Sequence, residues 1–263
     1  MLDKAGKQYW SGVWGKCDGV NSIDPRDPGL HNYVPHRFHE YFHQLFSNTE
    51  TRNLRLLEIG CARSSWLPYL GKEFGFKVFG IDYSDIGCDQ SKQLLLREKV
   101  EGEIVCGDFF SPPESMVGAF DVVISFGVAE HFQDTCGCLR AFSRFLKPGG
   151  FLLTNIPNLT GLNGLIQRVV NRPVFDVHVP LDKEALADAH EVNRLNMISC
   201  DYFLFANLGV LNFENWKPGL FYSGACRIRT LINLFVWYCE RTIPLLKPNR
   251  WSSPYINCLA TKP

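Results

Sequence analysis

Acidic side chains recur at three points where an apolar run of the sequence passes into a loop. Glu58 stands in the run "LLEI" before a loop of small residues, Asp82 follows "VFGI", and Asp108 follows "EIVCG". A carboxylate beside a buried run is costly unless it binds something, because an ion loses its hydration there. Carboxylates accept hydrogen bonds from hydroxyl, amine and ammonium groups. The pattern therefore predicts a site for a ligand rich in such donors.

The elements that would position these acids are alternating strands and helices. This alternation is typical of βαβ units with a parallel sheet, so the predicted fold class is α/β. In such a sheet the ligand binds outside the carboxyl ends of the strands, where the three acids would meet. Strand-like runs occupy 54–59, 77–81, 102–106, 120–125 and 150–155, and helix-like stretches occupy 66–73, 87–99 and 135–145.

The positions favour distinct roles toward an adenosine. The loop led by Gly60 would admit a ligand to backbone N–H groups at a helix N-terminus, and Asp82 would accept both hydroxyls of a ribose. Asp108 would accept from an exocyclic amine, and the ring of Phe109 or Phe110 could cover the adenine face. For a single aspartate at a strand end, the alternative is an ordinary turn or helix cap.

The same loop argues against a dinucleotide. The dinucleotide fingerprint needs G-x-G-x-x-G or G-x-G-x-x-A so that a pyrophosphate can approach the backbone. Here the loop reads "GCARSS" and lacks the second glycine. Glu58 would repel a phosphate but suits a cationic ammonium, so we expect it to orient the loop and attract a positively charged cofactor tail. A nicotinamide-dependent oxidoreductase is the disfavoured alternative.

Together these motifs resemble the class I S-adenosylmethionine-dependent methyltransferases, in particular their small-molecule branch. The resemblance covers about 54–158 and rests on "LLEIGCARSSW", "VFGIDYSD", "GDFF", "FDVVISFGVAEHF" and "FLKPGGFLLTNIPN". It departs from the family at Ala62 and Ser64, where glycine is more common. The altered loop leaves a second interpretation open, in which the chain keeps the fold as a non-catalytic binding or partner module.

The resemblance implies a Rossmann-like, seven-stranded, mostly parallel sheet with an antiparallel last strand, flanked by helices and carrying helical cap insertions. It implies S-adenosyl-L-methionine as cofactor, S-adenosyl-L-homocysteine as product, and methyl transfer to an O, N, C or S atom of a small organic substrate. Cofactor contacts are then expected from Glu58, Gly60, Cys61, Ala62, Asp82, Tyr83, Asp108, Phe109 and Ser125.

Glu130 and His131 follow the fourth strand, where the transfer would take place. They could act as a base pair that removes a proton from an attacking hydroxyl or amine, or they could serve only packing. A sulfonium methyl is already activated, so alignment of the nucleophile and exclusion of water would supply most of the catalysis. A catalytic triad is therefore not expected.

The flanking segments would supply the substrate side. Tyr9, Trp10 and Trp14 are candidates for a lid, whereas Phe38, Phe42 and Phe46 have the spacing of a helix packed on the sheet. His178 is expected on the substrate side, with an ordinary loop histidine as the alternative.

The chain would form one domain with four parts: 1–53, an N-terminal helical and lid segment; 54–160, the cofactor-binding core; 161–250, substrate-side helices and the sixth strand (in "YFLFANLGVLNFENW") with a helical insertion; and 251–263, the final edge strand.

Composition excludes several classes of partner. Lys plus Arg and Asp plus Glu both number 27, so no overall field attracts nucleic acid. The arginines within Ala225–Leu246 argue against a membrane span but are compatible with an interfacial helix or a homodimer.

The N-terminus has no signal-like apolar core and the ten cysteines lack disulfide-scaffold spacing, so we expect a cytoplasmic protein with free thiols. Cys136 and Cys138 have no partner pair of zinc spacing, so no metal is expected.

Overall fold

The strands form one seven-stranded sheet in a computed structural model that describes residues 2–16 and 22–263. The strand order is β3-β2-β1-β4-β5-β7-β6, and β7 runs antiparallel to both of its neighbours while β1 to β5 are parallel. The predicted fold class is confirmed. The strands are β1 Arg55–Ile59, β2 Lys77–Asp82, β3 Gly102–Cys106, β4 Phe120–Phe126, β5 Leu146–Pro157, β6 Asn196–Phe203 and β7 Tyr255–Thr261.

Helices cover both faces of the sheet and give two clusters of buried side chains. One cluster lies under α5 and α8, and the other lies under α2, α3 and α4 and includes Phe38, Phe42 and Phe46, as predicted. The helices are α1 Gly6–Trp14, α2 Tyr33–Phe46, α3 Trp66–Phe74, α4 Asp85–Arg97, α5 Thr135–Phe145, α6 Leu162–Val170, α7 Arg172–Asp176, α8 Lys183–Val192 and α9 Leu220–Thr242.

The prediction that the final strand lies at the sheet edge is wrong. β7 is inserted between β5 and β6, and β6 forms the edge. The burial patterns show why: five consecutive residues of β7 are buried, whereas no residue of β6 is fully buried. A strand that is apolar on both faces is stabilised by neighbours on both sides, and a half-polar strand tolerates the edge.

The sixth strand also begins earlier than predicted. It spans Asn196–Phe203, so only the first two residues of the segment predicted for it, "YFLFANLGVLNFENW", belong to the strand. Leu204 has a left-handed backbone with φ 64°, which breaks the extended conformation directly after Phe203. The remaining residues of that segment form irregular chain and one short 3₁₀ turn, Leu208–Val210.

Two cysteines differ from the expectation of free thiols. Cys200 and Cys258 lie opposite each other in the β6–β7 pair and form a disulfide. Seven other cysteines within the described residues are free, including Cys136 and Cys138. The disulfide could not be foreseen from spacing, because 58 residues separate the two cysteines and only the strand pairing brings them together.

Candidate active site

The largest group of predicted site residues lines one cavity of about 560 Å³ at the carboxyl ends of β1, β2 and β4. Its volume is within the range of small-molecule and cofactor sites. The cavity lies where strand order reverses, since β1 is flanked by β2 on one side and β4 on the other. The predicted residues on its wall are Trp10, Trp14, Glu58, Gly60, Ala62, Asp82, Tyr83, Phe109 and His131.

Glu58 connects the cavity to the first helix after β1. Ser64 donates its hydroxyl hydrogen to Glu58 Oε2, and Ser64 Oγ accepts from the backbone N–H groups of Trp66 and Leu67 at the start of α3. Burial raises the pKa of Glu58 to about 8. The arrangement orients the loop, as predicted, and holds a carboxyl group that gains from a cationic ligand.

Stability is expected to fall as pH rises, because Glu58 holds its proton in the folded state and releases it near pH 4.5 when unfolded. The contribution of Glu58 to stability is fully present below its pKa in the unfolded chain, and it is lost as pH rises through its pKa of about 8 in the folded protein. Urea denaturation from about pH 5 to about pH 8 should show a smaller decline for Glu58→Gln than for the parent protein. Glu184→Gln, an exposed change in the first turn of α8, is the matched control; an unchanged slope in Glu58→Gln would contradict the assignment.

Gly60 starts the loop with a backbone that other residues rarely adopt. Its φ is 76°, and a Cβ at this position would lie 2.3 Å from Val128 Cγ2. Its N–H donates to the Ile81 carbonyl at 2.9 Å, which ties the loop to β2. Glycine is therefore required both by the turn and by the close approach of the segment after β4.

Asp82 links the first two loops at the cavity. Its Oδ2 accepts from the Ala62 N–H at 3.2 Å, and its Oδ1 accepts from the Ser84 N–H at 2.7 Å. Burial raises its pKa, partly offset by these two hydrogen bonds. Tyr83 also faces the cavity and donates its hydroxyl to Asp3 Oδ2 at 3.0 Å. Asp82 thus has the turn-forming role of an ordinary strand-end aspartate and also lines the cavity.

Asp108 lies in an adjoining cavity of about 530 Å³. The two cavities share four wall residues, among them Tyr83 and Phe109, so they adjoin, and we call the pair of cavities the trough. Asp108 is exposed, and its Oδ1 accepts from the Phe110 N–H at 2.9 Å. The buried Phe109 ring lies between the two cavities and packs on Phe110 and Phe132. Asp82 and Asp108 therefore line the two adjoining parts of the trough.

Besides Asp108, five predicted residues lie away from the main wall, namely Cys61, Ser125, Tyr9, His178 and Glu130. The Cys61 side chain points into the core below the loop, next to Gly80. Ser125 is buried at the end of β4, and its hydroxyl has no hydrogen-bond partner within the described residues. Tyr9 and His178 line a second, smaller cavity of about 190 Å³ that shares Trp10 with the main one.

His131 presents a neutral ring to the cavity. Its Nδ1 lies 2.9 Å from the Val177 carbonyl, which only accepts, so Nδ1 carries the hydrogen and Nε2 is free to accept. Burial lowers the pKa of His131. Its Nε2 lies 3.9 Å from Glu130 Oε1, which is beyond hydrogen-bond distance. Burial also raises the pKa of Glu130 to about 8, and Glu130 Oε2 has no partner among the described residues.

Two groups of His and Glu side chains have ligand atoms close enough for a metal ion. Glu130, His131 and His178 form one group, and His39, His43 and Glu73 on α2 and α3 form the other. Within the described residues, neither group includes Cys136 or Cys138. The prediction that the protein uses no metal remains a prediction.

The N-terminal segment covers the cavity. Asp3 forms a bridge with Phe132, and the Lys4 N–H donates to the His131 carbonyl at 2.9 Å. Trp10 presents its ring edge to His131 at 5.1 Å, and Trp14 stacks on Trp10. The two tryptophans line the cavity, and their role as a lid stays a prediction.

Sequence reasoning missed several wall residues. Asp3 is one, and its carboxylate also accepts from the Ala5 and Gly6 N–H groups at the start of α1. Its position shortly before a helix was an available capping signal. Trp66 and Phe126 also line the cavity, and their rings stack at 5.9 Å. No sequence pattern distinguishes these rings from core aromatics, because both kinds of position favour large apolar side chains.

A family model described as a methyltransferase domain matches residues 30–196. Norajmaline N-methyltransferase of Rauvolfia serpentina is 29% identical over 112 residues, which cover 41% of this chain and 37% of that protein. The chain therefore spans well under half the length of this relative.

Solved structures share the fold at low identity. Geranyl diphosphate C-methyltransferase from Streptomyces coelicolor, in complex with Mg²⁺, geranyl diphosphate and S-adenosyl-L-homocysteine, is 15% identical, with 98% of each chain covered and a TM-score of 0.59. The [4+2]-cyclase SpnF is also 15% identical, with 100% of this chain and 96% of that chain covered and a TM-score of 0.62. These likenesses concern the fold, because one fold hosts different reactions.

Proposed function

Since the chain belongs to the methyltransferase domain family, we propose that it is an S-adenosylmethionine-dependent methyltransferase acting on an O, N, C or S atom of a small organic substrate. The observation that carries the proposal is the trough at the carboxyl ends of β1 and β2, where Glu58 and Asp82 lie on one wall. The [4+2]-cyclase with the same fold shows why the reaction itself needs a test.

The residues of the trough fit this cofactor. Glu58 would hold the ammonium of the methionine part, since a buried carboxyl group gains most from a cation. Asp82 would accept from the ribose hydroxyls, and Asp108 and Phe109 would receive the adenine in the adjoining cavity. The cofactor supplies an activated sulfonium methyl. A dinucleotide fits less well, because the main wall carries the acids Asp3, Glu58 and Asp82 against the single cation Arg63 among the described lining residues.

The chain's own contribution to transfer would be alignment and exclusion of water. Trp10 and Trp14 cover the main cavity, and Tyr9 and His178 line its smaller neighbour. We assign this side to the acceptor. His131 Nε2 would accept a proton from the acceptor, and Glu130 would act through it only indirectly because the two groups are 3.9 Å apart.

Isothermal titration with S-adenosylhomocysteine, with NAD as the comparison ligand, tests the cofactor assignment. Micromolar binding of S-adenosylhomocysteine alone is expected and would justify an acceptor screen by mass spectrometry. Binding of NAD alone would favour the oxidoreductase. Binding of neither would favour a non-catalytic module.

His131→Asn should lower kcat about tenfold with the acceptor found in that screen, which is less than the usual general-base effect of about 100-fold or more because the methyl is already activated. Its affinity for S-adenosylhomocysteine should stay unchanged. His36→Asn on α2 is the matched histidine control. An unaltered kcat in His131→Asn would assign this residue to packing alone.

The absence of nucleic-acid partners remains a proposal, supported by the formal net charge of zero. A cytoplasmic location also remains a proposal. No helix within the described residues is long and apolar enough to cross a membrane. A homodimer also remains a proposal.

A further inference from the structure

Helix α9 exposes a continuous apolar face. Residues at i, i+3, i+4 and i+7 share one side of a helix, and this spacing relates 228, 231, 232 and 235. The exposed fractions run from 41% at Ile232 to 91% at Phe221. We call this surface the α9 apolar face, and it consists of Phe221, Ile228, Leu231, Ile232, Phe235 and Tyr238.

The opposite side of α9 is the one that contacts the protein, and three of its side chains make hydrogen bonds there. Asn233 Oδ1 accepts from the Leu208 N–H at 2.8 Å, and Glu240 Oε1 accepts from the Phe205 N–H at 2.8 Å. Trp237 donates its indole N–H to a backbone carbonyl at 3.2 Å. A surface helix of a globular protein normally turns its apolar stripe inward. Because α9 turns its apolar stripe outward, its apolar face is suited to contact something outside this chain.

Other exposed apolar side chains lie on α6 and on the segments bonded to its two ends. On α6, Leu165 is 60% exposed and Val169 is 87% exposed. Trp216 donates its indole N–H to the carbonyl of Val170 at the end of α6, and Leu162 at the start of α6 donates to the carbonyl of Trp251. Both tryptophans are themselves exposed. Aromatic rings with a polar N–H are favoured where apolar and aqueous phases meet.

The charge of this region points to the chemistry of the partner. Residues 216–251 carry six cations and one carboxylate, Glu240, although the whole chain has no net charge. Glu240 is already bonded to the protein through the Phe205 N–H. The cations that remain exposed are Lys217, Arg227, Arg241, Lys247 and Arg250. An apolar stripe bordered by cations complements a surface that is apolar inside and anionic at its boundary.

We propose that the α9 apolar face docks on an anionic phospholipid bilayer, with α9 lying in the plane of the interface. Arg227, Arg229 and Arg241 place charged side chains within α9, and such side chains are costly inside a bilayer. The helix is therefore suited to lie in the interface rather than to span the membrane. A second copy of the chain fits less well. In a two-fold dimer the same face meets itself, so these cations would approach their own counterparts.

The docking would bring the candidate active site near the membrane. Trp237 stacks on Tyr33 at 5.4 Å, and Arg241 donates to the Pro28 carbonyl at 3.0 Å. Ile23 and Pro35, which bracket these contacts in the sequence, lie on the wall of the main cavity. The inference stands on the surface of α9 and does not depend on the reaction that the cavity performs.

Co-sedimentation of the full chain with vesicles tests the proposal. Vesicles of equal parts phosphatidylserine and phosphatidylcholine should bind the protein, and pure phosphatidylcholine vesicles should bind it at least about tenfold less, since several exposed cations contribute. Ile228→Ser with Phe235→Ser should reduce binding to the mixed vesicles by about tenfold or more, because two large side chains would no longer be buried.

Leu96→Ser is the matched control, because Leu96 is an apolar residue of α4 that is 81% exposed and lies outside this surface. It should bind the mixed vesicles like the parent protein. Thermal unfolding should be similar for all variants, since the changed side chains are exposed. Absence of binding to the mixed vesicles, equal binding by the double variant, or a solution dimer that the double variant separates without any vesicle binding would overturn the proposal.

Discussion

Asp82→Ala should weaken binding of S-adenosylhomocysteine by about 2 kcal/mol, or roughly 30-fold, because a carboxylate that bonds the ribose hydroxyls would be lost. The change also removes the acceptors for the Ala62 and Ser84 N–H groups, so the loops after β1 and β2 each lose a hydrogen bond. Isothermal titration measures the affinity, and thermal unfolding shows whether the fold persists.

Asp182→Ala is the matched control for Asp82. Asp182 caps α8 by accepting from the Ala185 N–H at 2.8 Å, and it lies outside the cavity wall. Its replacement by alanine should therefore remove a helix cap without changing the affinity for S-adenosylhomocysteine. If Asp82→Ala bound S-adenosylhomocysteine as tightly as the parent protein while remaining folded, the ribose assignment would be wrong.

Gly60→Ala should destabilise the protein by about 3 kcal/mol, since two effects add at one position. A residue with a Cβ is strained at φ 76°, and that Cβ would lie 2.3 Å from Val128 Cγ2. Urea denaturation measures the loss in free energy of unfolding.

Val128→Ala in the Gly60→Ala background separates the two effects. Removing Val128 Cγ2 relieves the overlap, so the double variant should recover part of the lost stability and keep only the backbone strain. Gly149→Ala is a second comparison, because Gly149 has the same φ of 76° but a Cβ there would meet no described atom within 4 Å. A Gly60→Ala protein no less stable than Gly149→Ala would show that the approach of Val128 is unimportant.

Local patterns along the chain were enough to predict the parallel part of the fold. Each predicted strand from β1 to β5 overlaps an observed one, because a strand buried on both faces needs an apolar run and the helices between need amphipathic spacing. The acids at the ends of β1 and β2 were predictable for the same reason. Carboxyl ends of neighbouring parallel strands meet at one edge, so sequence position alone places Glu58 and Asp82 together.

Asp108 and Glu130 show where this reasoning stops. The position of Asp108 after β3 did not show that it would lie in the adjoining cavity while Asp82 lies in the main one. The direction of the Asp108 side chain depends on the loop that follows β3. The sequence left open whether Glu130 and His131 act as a pair, and in the structure their nearest side-chain atoms lie 3.9 Å apart while His131 Nδ1 is held by the Val177 carbonyl. Adjacent residues in a turn need not face each other.

The sequence by itself determined the α/β class, the order of the first five strands along the chain and the two acids at the main cavity, since these follow from local periodicity and from strand polarity. Only the tertiary structure decided the insertion of β7 between β5 and β6, the pairing of Cys200 with Cys258 and the outward turn of α9. Those features depend on contacts between residues far apart in sequence. An amphipathic helix shows which face is apolar, but not whether that face turns toward the core or away from it.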